Sequence, residues 1–131
     1  MKIQNTKQEF TLTNENIDFI SEEVCSFMEM IEADHRTVLR TRLTIEEALL
    51  RYQGQSGEET KCIFKMGKSF GRPFVSLAVK GDEYNPFDAV DDEGENDEFG
   101  YYSDHLLEKM GLAPIYSREG KYNKFVFKFK K

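Results

Sequence analysis

Cys62-Ile63-Phe64-Lys65-Met66 and Phe74-Val75-Ser76-Leu77-Ala78-Val79 flank the segment Gly67-Lys68-Ser69-Phe70-Gly71-Arg72-Pro73. Two short runs rich in β-branched and aromatic residues, joined by a stretch with two glycines and a proline, read as a β-hairpin. Further along, strands are expected at 113–117 and 124–130 around a Glu119-Gly120 turn. In the last of these, Phe125, Phe127 and Phe129 alternate with Val126, Lys128 and Lys130, the pattern of a sheet with one buried face. Toward the N-terminus, residues 9–13 look like a short strand. Thr13 or Asn14 then caps a helix whose apolar positions Ile17, Ile20, Val24, Phe27, Met28 and Ile31 recur at helical spacing. A second helix is expected over 37–52, with Val38, Leu39, Ile45, Leu49 and Leu50 among its apolar residues and Gly54 and Gly57 as stops. Ser103 is placed to cap a short helix through Met110. The order implies an α+β fold: a two-layer sandwich with helices on one face of a mixed, mostly antiparallel sheet.

At 131 residues, 39% of them hydrophobic and 13% aromatic, residues 1–131 are expected to form one domain with a real core. The apolar runs are only a few residues long and no charged-then-apolar leader opens the chain, so neither a membrane span nor a signal peptide is expected. Cys25 and Cys62 lie far apart with no Cys-x-x-Cys or Cys/His cluster, which fits reduced thiols in a cytoplasm better than a disulfide framework or structural zinc. The net charge of −6 argues against nucleic acid as a partner, because counterion release needs clustered Lys and Arg.

That charge has a local origin. The run Asp88-Ala89-Val90-Asp91-Asp92-Glu93-Gly94-Glu95-Asn96-Asp97-Glu98 holds seven of the 24 acids, and the 17 that remain face 18 basic residues. A run of this kind is ordinarily a solvated linker; as a functional element it would be a lid, a cation site or a partner-binding segment. It does not fit an EF-hand loop, since placing Gly94 sixth puts Ala89 first, where a carboxylate is required.

Four segments together resemble a known family. Arg42-Leu43-Thr44-Ile45-Glu46-Glu47-Ala48-Leu49-Leu50, Gly81 with Tyr84-Asn85-Pro86, Leu106-Leu107-Glu108-Lys109-Met110, and Tyr116 through Gly120-Lys121-Tyr122-Asn123 are similar, in order and spacing, to the GHKL (histidine-kinase-like) ATPases, nearest to the anti-sigma-factor serine kinases. The resemblance implies the histidine-kinase-like ATPase fold, with the acidic run at 88–98 as a lid-like loop. It also implies a site in which Glu47 is the catalytic base of an active enzyme and Arg51, Gly81, Asn85, Gly100 and Ser103 lie along the nucleotide.

Each of the family's three motifs is altered. A Glu followed four residues later by a magnesium-holding Asn becomes Glu47 and Arg51. The Asp that reads adenine, two residues before a Gly, becomes Val79 before Gly81. The glycine-rich phosphate segment becomes Gly100-Tyr101-Tyr102-Ser103, with side chains where close backbone approach needs none. Seven acids over a triphosphate add to the difficulty: at roughly 8 Å and an effective dielectric of about 20, each carboxylate–phosphate pair costs about 2 kcal/mol before screening.

Arg51 has two readings. It is either half of an i,i+4 pair with Glu47, or a guanidinium that replaces the metal's charge and holds an anion directly. Arg36, Arg40, Arg42 and Arg51 form a basic set that is either a solvated face or a surface on which the acidic run closes. Gly67-Lys68-Ser69 copies the end of a P-loop but lies between two strands and lacks the earlier glycine, so it reads as a turn. His35 and His105 have no catalytic neighbour at a useful spacing and read as capping or surface residues.

A second resemblance concerns context. Phe70-Gly71-Arg72-Pro73-Phe74, Ile45 through Gln53, and Gly111-Leu112-Ala113-Pro114 are similar to the soluble domain preceding the membrane part of some bacterial dicarboxylate/amino-acid:cation symporters. That implies a domain tethered to the inner face of a membrane, with Lys128, Lys130 and Lys131 beside the first membrane helix.

The combined expectation is a regulatory or binding module on a degenerate ATPase fold that uses no cofactor. Its partner would be another protein, a membrane-embedded transporter segment, or a second copy paired through the sheet edge or first helix. The alternative is an ATP- and magnesium-dependent protein serine kinase.

Overall fold

The computed structural model describes residues 6–86 and 114–129. Strand β1 (Thr6–Thr11) leads into helices α1 (Asn14–Met30) and α2 (His35–Ser56), followed by β2 (Lys61–Ser69), β3 (Arg72–Lys80), β4 (Ile115–Glu119) and β5 (Tyr122–Lys128). The strands form one sheet in the order β1-β2-β3-β5-β4, and every pairing is antiparallel. The expected mixed sheet is thereby corrected to an antiparallel one. A single helix between neighbouring strands would return the chain parallel; two consecutive helices reverse it once more, so β2 runs against β1.

Local chemistry sets the helix ends. Thr13 is the N-cap of α1, its Oγ1 accepting from the Asn16 amide at 3.1 Å. Asp34 caps α2 by accepting from the amides of Arg36 and Thr37 and from the Thr37 hydroxyl, which together hold its carboxyl below the usual carboxylate range. His35 is the first residue of α2 and is exposed, as its boundary position implied. Helix α2 runs through Gly54 and ends only at Gly57, whose φ of 94° suits glycine, so of the two expected stops one works.

The turn expected over 67–73 shrinks to Phe70-Gly71. Ser69 pairs with Arg72, and both turn residues have positive φ (54° and 81°), a type I′ connection. Gly67-Lys68-Ser69 is therefore strand, not turn, because pairing with β3 outweighs glycine's low strand preference. Phenylalanine at a left-handed position costs about 1 kcal/mol relative to Gly or Asn, and Phe70 is fully exposed, so no packing offsets that cost. The second hairpin turns at Gly120-Lys121, one residue later than expected.

The core lies between the helices and one sheet face. Ile17, Ile20, Val24, Phe27 and Met28 of α1 and Ile45, Ala48, Leu49 and Tyr52 of α2 pack over Cys62, Phe64, Val75, Leu77, Val79, Phe125 and Phe127. Leu39 and Leu50, expected among the apolar positions of α2, are about half exposed. The helix expected at 103–110, the acidic run, Gly100, Ser103 and His105 lie outside the described residues.

Candidate functional site

Glu47 and Arg51 sit one turn apart on α2 and engage each other. Glu47 Oε2 accepts from Arg51 Nη2 at 2.7 Å and from Nε at 3.1 Å. Both side chains are about four-fifths buried, so this charge-assisted contact is less screened than a surface pair. The second carboxylate oxygen, Oε1, is buried with no hydrogen-bond partner among the described residues. The paired reading of Arg51 is the arrangement observed. Val79, at the position of the family's adenine reader, is a fully buried strand residue facing the helices.

Gly81 and Asn85 lie in the loop that follows β3, and the structure brings that loop to the C-terminal turn of α2. A side chain at Gly81 would place its Cβ 2.9 Å from Ser56 Oγ, and the φ of 151° there also favours glycine. Asn123 of β5 anchors the loop. Its Oδ1 accepts from the Tyr84 amide at 2.9 Å, the Tyr116 hydroxyl at 2.6 Å and Arg118 Nη1 at 3.3 Å, while its Nδ2 donates to the Asp82 carbonyl at 2.8 Å. Arg118 also donates to the carbonyls of Gly81 and Gly120, tying the loop to the β4–β5 turn. From the helix side, the Tyr52 hydroxyl donates to the Tyr84 carbonyl at 3.0 Å and its ring meets Tyr84 edge-on.

Sequence reasoning missed this knot, although one signal was present. Asn123 occupies the inward register shared by Phe125, Phe127 and Phe129, and a polar residue there needs buried partners. Of the basic set on α2, Arg42 is held by Glu46 and Glu22 and Arg51 by Glu47, whereas Arg36 is exposed. The acidic run, and with it the expected closure on these arginines, lies outside the described residues. Among the described residues no group of three His, Cys, Asp or Glu is placed to hold a metal, and no helix is long and apolar enough to cross a membrane.

Burial governs the titration of two interior groups. Cys62 is free and enclosed, which pushes its thiol up to about 12, and burial raises the Tyr52 hydroxyl well above its ordinary value. The unfolded chain releases both protons at lower pH than the folded one. Their contribution is therefore intact below roughly pH 8.5 and is lost as pH rises toward the folded values. Thermal midpoints should fall progressively above about pH 9, with a shallower slope in Tyr52→Phe. An equal slope in that variant would remove Tyr52 from the account.

Neither a scan against protein-family models nor a search of curated proteins finds a match for this chain.

Proposed function

We propose that the chain is a non-catalytic binding or regulatory module, built on the scaffold of the GHKL ATPases with its nucleotide machinery replaced. Supporting this reading is the sequence of elements: strand, helix pair and hairpin, with a second hairpin at the C-terminal end. The observation that carries it is the Glu47–Arg51 contact. The carboxylate that a kinase would use as its base is bonded to a guanidinium at the position where the family has its metal-holding Asn. The loop at Gly81 is likewise occupied with protein partners. In this reading the module's partner is a protein, either soluble or the membrane-embedded segment of a transporter.

Calorimetric titration of ATP and ADP, with and without magnesium, tests the proposal on the native chain and on Arg51→Asn. Absence of binding by the native chain is expected. Gain of magnesium-dependent binding in Arg51→Asn would show that the pocket persists with its metal position blocked. Micromolar binding by the native chain would instead favour the serine-kinase alternative.

A further inference from the structure

The sheet face turned away from the helices carries a charge that the whole chain does not. Strand register places Lys7, Lys61, Lys65, Arg72, Lys80, Lys124 and Lys128 on it, against Glu9 and Glu119. Lys65, Ser69, Phe70, Arg72, Phe74, Ser76, Lys124, Val126 and Lys128 surround a cup of about 550 Å³ with a partly apolar floor; of its four cations, Lys124 pairs with Glu119 at 3.4 Å. Helices α1 and α2, in the layer packed on the opposite face, together carry seven acids against four arginines. The described domain is thus polarised, with its positive pole on the open face.

At one end of that face stands the Phe70-Gly71 turn. Phe70 is fully exposed in a left-handed conformation that Asn or Gly would hold with less strain. Lys128 closes the same end, where the Phe129 amide donates to the Pro73 carbonyl. A strained, solvated phenylalanine in a turn beside a cationic cup matches an interface with an apolar layer beneath an anionic one.

We propose that this tip and the open sheet face dock the domain peripherally on an anionic bilayer, with Phe70 entering the acyl boundary and Lys65, Arg72 and Lys128 facing lipid phosphates. A single-stranded nucleic acid fits less well, because base stacking calls for rings lying flat on the sheet. Here Phe74 is half buried in the floor and Phe70 stands exposed in the turn at the rim. The docking is independent of whether nucleotide binds beside Glu47 and Arg51, so nucleotide titration and vesicle binding report on different faces.

Flotation of the native chain with phosphatidylcholine vesicles, with and without phosphatidylglycerol, is the test. Binding is expected only to the anionic vesicles and should weaken with salt. Phe70→Asn should reduce it about tenfold while raising the thermal midpoint, a pairing that a structural role for Phe70 would not produce. Lys65→Gln, Arg72→Gln and Lys128→Gln combined should reduce it about a hundredfold, at roughly fivefold per cation. No binding to anionic vesicles, or unchanged binding by either variant, would overturn the proposal. So would release by inorganic phosphate beyond that caused by chloride of equal ionic strength, which marks a free-phosphate site, or tighter binding of oligo-dT than of vesicles.

Discussion

Phe125→Ala should lower the unfolding free energy by about 4 kcal/mol, the range for deleting an aromatic ring from a closed core. Phe125 is fully buried at the centre of β5, between β3 and β4. Its ring stacks with Tyr52 of α2 at 6.4 Å between centroids and meets Phe127 edge-on at 6.0 Å. Removing it takes away the ring contact between Tyr52 of α2 and the sheet, and strands on both sides prevent the backbone from collapsing into the void. Equilibrium denaturation measures the loss. Val126→Ala, one residue along on the half-exposed face, should cost less than about 1 kcal/mol. Similar losses in the two variants would mean that β5 is not sandwiched as described.

The second large effect is expected at Asn123, which is 1% exposed. Asn123→Ala leaves the Tyr84 amide, the Tyr116 hydroxyl and the Asp82 carbonyl without this partner. At about 1 kcal/mol or more for each such group, the loss should be about 3 kcal/mol, lowering the thermal midpoint by roughly 10 °C. Hydrogen exchange at Tyr84 should accelerate beyond the global loss, because the loop is released before the sheet opens. Asn123→Asp keeps the acceptor but sets a buried carboxylate oxygen against the Asp82 carbonyl, so it too should be clearly less stable than the native residue. If Asn123→Ala leaves exchange at Tyr84 unchanged, Tyr52 and Arg118 hold the loop unaided.

Much of the architecture was legible because burial is periodic. The α1 stripe from Ile17 to Met28 and the Phe125/Phe127 alternation each show which side faces the core, without knowledge of what packs there. Turn positions were less legible. Gly67 and Pro73 suggested a long connection, yet two residues sufficed once β2 and β3 paired through Ser69 and Arg72. Of the candidate site residues, Glu47 and Arg51 came together because i,i+4 spacing on a helix is a local geometry.

By itself, then, the sequence determined the α+β class, the buried face of α1 and the inward register of β5, and it put Glu47 and Arg51 within reach of each other, since each follows from spacings of a few residues along one element. Tertiary structure decided the rest. Asn123 finds partners 39 and 41 residues away, and the cationic cup draws Lys65, Arg72 and Lys128 from three different strands. Such gatherings depend on strand order and register. A slip of one residue would turn Lys65, Lys124 and Lys128 inward and the phenylalanines out, so the cost of burying charge selects the pairing that leaves a positive face open.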